Sequence, residues 1–453
     1  MSTSPPAMQL PRALGLRDLV LLGVAAILNL SLVPPGAGHG RLSLLLWTLA
    51  FLVFFLPEAI AVLAFAKRYP GEGGIYLWTE RQFGARHGFV SGWCYWTNNL
   101  FYVPMQLVYI AGAAAYVSHG SAERLVDDRV FIFSIAFGWL VLITLLNVRG
   151  LAAGKWLQNA GALGAVGTVA LLLIAAGYAL SSGTAVSQPV AANVGWGTLS
   201  SFSVMCFAFI GIELASTMGD EIRSPDRNIP RAVIWTGAAT LVAYLAATAA
   251  VQMLVPSDEI GAIEGVMQAV RSGAGRAGVE WLVAPIAILM ALSIGGTASA
   301  WFAGSARIPF VAGLERALPP GLGRVHPRWH SPYVALLFSG ILSAAFLALS
   351  FAGSTVAEAY QVLLKAGLVI QLVPFIYLFA GLTRLEGAGR TARVAGVVGA
   401  AASALGIVSA FIPTADVTNV WIFELKMVVG SLAPIAIGLW LYARPTRAAR
   451  GRS

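Results

Sequence analysis

Apolar runs of about 20 residues, the length a helix needs to cross a hydrocarbon core, recur along the chain with short polar turns between them. Twelve such runs can be marked, the first starting near Asp18 and the last ending near Tyr442. A backbone in lipid must satisfy its own hydrogen bonds, so runs of this kind fold as helices. Composition points the same way: 58% of the 453 residues are hydrophobic and 11% are charged, against about 25% charge in ordinary soluble domains. The expected class is an all-α polytopic membrane protein with no large soluble domain. Residues 1–17 lack the basic n-region and small-residue cleavage site of a signal peptide, so the first span is expected to remain in the protein.

The formal charge of +9 raises the question of nucleic acid, and its distribution answers it. With the N-terminus inside and the loops alternating, most of the 29 Lys and Arg residues fall on the cytoplasmic side, as the positive-inside rule requires. The excess therefore reads as topology, and no nucleic-acid partner is expected. A multi-pass cytoplasmic-membrane protein with both termini in the cytoplasm follows. The basic tail RPTRAARGRS also suits contact with anionic lipid. Cys94 and Cys206 fall inside apolar spans, where a buried thiol is the default. No disulfide, metal site or cofactor is implied. There is no HExxH, no nucleophile beside a base and no cysteine cluster, and His39, His87, His119, His326 and His330 fall in loops or at helix ends. An enzyme is not expected.

Among the spans, FAFIGIELASTMGDEIRSPDRNIPRA, Phe207 to Ala232, is the most informative. It begins as a span, carries Gly211 and Glu213 in its interior and leaves through a charged turn. A carboxylate facing lipid at mid-membrane costs about 2.5–3.5 kcal/mol, so Glu213 faces protein, water or a solute. Two readings fit: a packing glycine beside a hydrogen-bonded carboxyl, or a helix interrupted near Gly211 whose free amides and carbonyls line a cavity. The first span raises the same question. After LVLLGVAAIL come Asn29, Leu30, Ser31, Leu32 and Val33, then Pro34 and Pro35. The prolines remove two amide donors and restrict the residue before them. Too few residues precede Asn29 to cross the membrane, so a discontinuity at mid-depth is expected there.

In the second span Pro57 is expected to kink the helix, and Glu58 to lie near its inner end in reach of Lys67 or Arg68. A short amphipathic helix from Tyr76 to Phe83 is expected along the membrane interface. The third span carries adjacent Asn98 and Asn99, at least one of which is expected to face the bundle interior. The fifth is rich in small residues, GALGAVGTVA, suiting close helix packing. The eighth carries Ser293, Gly295, Gly296, Thr297 and Ser299, whose hydroxyls either bond the preceding turn or face an ion or substrate. Lys365 in the tenth is expected to snorkel or to pair with Glu358.

The first and sixth spans are both interrupted, and each opens a group of five. They run in opposite directions, as two inverted repeats require. Broken helix ends point free N–H groups at a carboxylate and free C=O groups at an ammonium, so a zwitterionic solute fits.

These residues carry a resemblance. FAFIGIE with DEIRSPDRNIPRA, YPGEGGIYLWTERQFG after the second span, NVRG before the fifth and ARIPFVAGLERALPPGLGRVHPRWHSP after the eighth resemble the amino acid, polyamine and organocation transporter superfamily, over about residues 12–443. The resemblance implies twelve helices in a LeuT-like five-plus-five inverted repeat plus two. Residues 18–180 would form the first repeat, 195–380 the second and 392–442 the last two helices, between cytoplasmic tails 1–17 and 443–453. It implies a secondary active transporter of amino acids working by alternating access, coupled to a proton or sodium ion or to exchange. Carried over by position, Asn29, Leu30, Ser31 and Leu32 bring amides to a substrate carboxylate. Phe207, Ala208 and Phe209 bring carbonyls to its ammonium, Gly211 is the break, and Asn98, Asn99 and Phe209 shape the side-chain pocket. Asn29 and Ser31 replace the glycines common in relatives, and Ala165 stands where several proton-coupled relatives carry lysine. Glu213 is then the charged candidate for coupling, or a structural bond to the first helix, and Thr297 the candidate for a sodium-like site. Asp220, Glu221, Arg231 and Arg307 are expected to form salt bridges at the inner gate. A polyamine or other organic amine carrier, and a membrane sensor that keeps the fold without flux, are the alternatives. No obligate heavy-chain partner is expected, because no cysteine lies in an external loop.

Overall fold

The computed structural model describes residues 15–444, apart from 70–72, 118–121, 189–193, 215, 217–221, 262–264, 315–317, 353–354, 415–416 and 418. The helices described are α1 (Leu16–Ile27), α2 (Val33–Ala37), α3 (Leu42–Ala50), α4 (Leu56–Arg68), α5 (Ile75–Phe83), α6 (Ala85–Ala115), α7 (Ala122–Asp127), α8 (Arg129–Val148) and α9 (Leu151–Ser181). They continue as α10 (Trp196–Ala208), α11 (Pro225–Leu254), α12 (Gly265–Ala277), α13 (Val283–Ser305), α14 (Arg307–Leu314), α15 (Tyr333–Ser350), α16 (Val356–Arg384), α17 (Arg390–Ala410) and α18 (Val420–Ala443).

Eleven segments among the described residues are long and apolar enough to cross a membrane. The third expected span, α6, is not one of these, because WTNN and its other polar residues lower its hydropathy. It is nonetheless 31 residues long, or about 46 Å at 1.5 Å per residue. Its polarity has a reason: nearly its whole length is buried in protein, so lipid does not select its composition. Lipid-type surface lies elsewhere, on Leu45, Leu163, Ile234 and Val408, each more than 60% exposed. α12, in the loop between α11 and α13, is amphipathic and was not expected from the sequence; Arg276 in its last turn caps the Leu254 carbonyl at the end of α11.

The small-residue face of the fifth span does what its composition predicts. Gly161 and Gly164 on α9 lie against the backbone of α13, and a Cβ on Gly161 would stand 2.7 Å from the Cα of Gly296. Backbones can approach this closely only where both helices lack side chains.

The second span divides into α3, a π turn over Phe51–Phe55, and α4. Such turns are rare insertions and recur near functional sites. Glu58 follows it and is fully buried, not paired as expected. About 15 Å of helix separates it from Arg68, beyond the reach of an ion pair, and Arg68 instead lies 3.9 Å from exposed Glu386. The short helix expected after the second span is α5; it buries Ile75, Trp78 and Thr79 in the protein, with Trp78 stacked on Phe65 at 5.7 Å. Buried Lys365 donates to the Ile412 carbonyl and lies over the Phe423 ring, while Glu358 faces Lys426 at 3.9 Å.

Candidate functional site

The first span breaks where the sequence places it. α1 ends at Ile27, and Asn29 is extended, with φ −108° and ψ 103°. Its side-chain oxygen accepts from the Ser31 amide at 3.1 Å and the Ser31 hydroxyl at 2.7 Å, capping a single 3₁₀ turn over Leu30–Leu32. A side-chain acceptor on an orphan amide is the usual reason for asparagine at such a cap. The prolines then sit in the first turn of α2, where their missing N–H groups would have no helical partner.

A break leaves carbonyls and amides exposed in a low-dielectric interior, and each left unpaired costs about 1–3 kcal/mol. Three neighbouring helices supply the missing partners, and a fourth holds the Asn29 side chain. The Thr297 hydroxyl donates to the Ala25 carbonyl at 2.8 Å, and Trp301 Nε1 to the Ala26 carbonyl at 2.9 Å, both from α13. From α11, the Tyr244 hydroxyl accepts from the Asn29 amide at 3.0 Å and donates to the Ile27 carbonyl at 2.7 Å. Asn29 Nδ2 donates to the Tyr102 hydroxyl of α6 at 2.9 Å, and the Tyr360 hydroxyl of α16 donates to the Ser31 carbonyl at 3.1 Å.

The sixth span breaks beside it. α10 ends at Ala208, and Gly211 has φ +146°, a conformation that side chains resist. A Cβ there would stand 2.9 Å from Ile27 Cγ1 and 3.3 Å from the Ala26 carbonyl carbon, so the two breaks face each other at van der Waals distance. Tyr244 ties them together, since the Ala208 carbonyl lies 3.1 Å from the hydroxyl that bonds Ile27. The core of this region is closed: Asn29, Leu30, Ser31, Leu32, Phe207, Ala208 and Phe209 are all at most 4% exposed.

Around the breaks, Tyr102 meets Phe207 edge-on at 5.4 Å and Trp301 at 5.8 Å, and Tyr95 lies 5.9 Å from Trp301. Phe209 turns away from this box. It packs on Trp47, Phe51, Phe55 and Tyr244 at 5.5–5.9 Å, an aromatic cluster shared by α10, the second span and α11. Asn98 faces α16, its Oδ1 within 3.1 Å of the position a Cβ on Gly367 would take, and Asn99 Nδ2 bonds back to the Tyr95 carbonyl. Thus Tyr102, four residues beyond Asn98, reaches the break directly, whereas Asn98 and Asn99 contact their own helix and α16.

Glu213 accepts from the Tyr95 hydroxyl at 3.0 Å and the Gly211 amide at 2.9 Å, one donor on each oxygen. It also meets the Glu58 carboxyl, and both side chains are buried. Sequence reasoning missed this pairing, as it missed Tyr244, Trp301 and Tyr360. One signal was available for Trp301: it stands one helical turn beyond Thr297, on the same face. Thr297 does reach the first span, where its hydroxyl bonds Ala25 and its own helix at Ser293. Ala165 is buried in α9. Arg231 is exposed and Arg307 half-buried, while Asp220 and Glu221 lie outside the described residues. Among the described residues, no three His, Cys, Asp or Glu side chains come together as a metal site.

Comparison with known proteins places this geometry. An uncharacterized transporter of Legionella pneumophila is 26% identical over 96% of this chain and 97% of its own length. A branched-chain amino acid permease of Bacillus subtilis is 26% identical, with 74% of each chain covered. A probable agmatine/putrescine antiporter of Lactococcus lactis is 24% identical over 68% of this chain and 66% of its own. The sequence model of a transporter family, described as amino acid permease, matches residues 15–432. Two facing helix breaks in a polytopic bundle, and a family match spanning nearly the whole of it, establish that the chain belongs to the amino acid permease family, within the amino acid, polyamine and organocation transporter superfamily.

Proposed function

We propose that the protein is a secondary transporter that binds a small amino acid or amine between the two helix breaks and moves it by alternating access. The observation that carries this reading is the meeting of the breaks at Gly211, with polar backbone held by side chains from α11, α13 and α16 and the capping Asn29 side chain held from α6. Those four helices can shift against the first and sixth spans only by exchanging these bonds, which makes the site and the hinge one structure. A count of twelve spans, with α6 as the third, and two inverted five-span repeats complete the architecture of the proposal. The lysine and arginine bias supports cytoplasmic termini in the cytoplasmic membrane.

Two substrate classes divide on the first break. A carboxylate needs free amides there, yet the Ser31 amide is taken by Asn29 Oδ1 and the Asn29 amide by Tyr244. That occupancy supports an amine without a carboxylate, the class named for the Lactococcus lactis relative. The Bacillus subtilis relative, named for branched-chain amino acids, supports the other class. Uptake of labelled L-leucine and labelled putrescine into proteoliposomes, each competed with the other, separates them. Binding detected as thermal stabilisation without uptake of either would favour the sensor reading. For the coupling ion, the Thr297 hydroxyl donates directly to the Ala25 carbonyl at 2.8 Å, and a sodium ion between these two oxygens would have to replace that bond.

A further inference from the structure

The carboxyls of Glu58 and Glu213 come from two different spans and meet in the protein interior, where both are buried. Their partners are unequal. Glu213 has a donor on each oxygen, the Tyr95 hydroxyl at 3.0 Å and the Gly211 amide at 2.9 Å, a set that suits a carboxylate. Neither oxygen of Glu58 is reached by a well-aligned N–H or O–H among the described residues, although the Gly211 amide lies between the two carboxyls. No Lys or Arg pairs with either among the described residues, and Tyr95 on α6 is the titratable side chain that faces both. Two buried carboxylates in contact, with donors for one only, repel strongly; a proton between them turns the contact into a short, strong hydrogen bond.

We propose that Glu58 and Glu213 form a proton-binding pair in which Glu58 holds the proton, donates it in a hydrogen bond to Glu213, and releases it during transport. Its coupling half rests on the transport reading above; its protonation half does not. Release breaks the Glu58 O–H bond, and the proton passes to water. The route is a groove lined by Leu19, Gly23, Val62, Ile212, Ser216 and Thr236. Two of its lining residues neighbour the pair in sequence, Val62 one turn beyond Glu58 and Ile212 next to Glu213, so the last step from carboxyl to groove requires local opening. The two carboxylates left behind repel, and the contact that gives is the one joining the second span to the sixth-span break. The Gly211 amide, bonded to Glu213, then moves with it and loosens its packing on Ala26 and Ile27. Proton loss and opening of the site become one event.

Two measurements test this on the full-length protein. The first needs no substrate: infrared difference spectra between low and high pH should show a buried protonated-carboxyl band in the wild type that Glu58→Gln removes. Glutamine keeps a donor toward Glu213, so the variant should fold; if it does not, Glu58→Asp keeps the acid and should shift the band instead. A band unchanged by either substitution overturns the proposal. The second is transport of labelled L-leucine and putrescine in proteoliposomes. Glu58→Gln should lower accumulation driven by a pH gradient at least tenfold, and whatever counterflow it retains should lose the pH dependence of the wild type. Wild-type accumulation by the variant under a pH gradient overturns the coupling. Absence of counterflow in the wild type would count against the transport reading alone, with the infrared band still deciding where the proton sits.

Discussion

Gly211 shows how much one residue can carry. Its φ of +146° and the 2.9 Å approach to Ile27 mean that alanine there is both strained and crowded. Strain of this kind costs about 1–3 kcal/mol. Gly211→Ala is therefore expected to lower the melting temperature in detergent and to reduce substrate-induced stabilisation, whereas Gly138→Ala, which has open space, changes neither. His39 offers a test by pH. It lies in the turn between the first two spans, and burial lowers its pKa below the ordinary 6.5, with Nε2 buried and unpartnered among the described residues. The unfolded chain then binds the proton more readily than the folded one. Stability from His39 is complete above about pH 6.5 and falls as the pH drops toward the lower folded value. The wild type should lose melting temperature relative to His39→Gln below pH 6.5; parallel curves down to pH 5 would refute it. Some residues were legible in the sequence and others were not. Asn29 and Gly211 announce themselves because a polar residue before two prolines, and a glycine beside a carboxylate, are anomalous within apolar runs. Tyr244, Tyr360 and Glu58 do not, since their role is set by which helix faces which, and one sequence carries no record of that.

Among elements, the closest packing is between α9 and α13, where Gly161 and Gly296 put backbone on backbone. α13 also holds Thr297 and Trp301 against the first break, so this glycine contact fixes the depth at which both side chains reach Ala25 and Ala26. Gly161→Leu is expected to push α13 away, at about 1–3 kcal/mol for overpacking, and to lower both stability and uptake. Leucine at Gly177, which has open space, serves as the control. Helix bounds were readable for nearly every span, because burial in lipid and in protein both demand long apolar runs. The exceptions are informative. α6 is too polar for the hydropathy test although it is 31 residues long, and α5 has the amphipathic pattern of a membrane-surface helix while Ile75, Trp78 and Thr79 are buried in protein. Amphipathicity says that one face is covered; it does not say by what.

For the molecule as a whole, the polar side chains that hold the first break come from four helices, and one of them, Tyr244, reaches both breaks. The bundle is thus held at its centre by a few hydrogen bonds of about 0.5–1.5 kcal/mol each, set between extensive apolar contacts that need not change. A closed state held in this way can open without unfolding. Under the proposed function these bonds hold the substrate site, and breaking them opens it. Tyr244→Phe keeps the ring against Trp47, stacked at 4.3 Å, and removes only the hydroxyl. The direct measurement is counterflow of labelled L-leucine and putrescine in proteoliposomes of wild type and Tyr244→Phe. The wild type should exchange at least one of the two, with a tenfold or greater loss in a variant that remains folded and monodisperse. Equal exchange by both proteins, or none by a folded wild type, would contradict the proposed function.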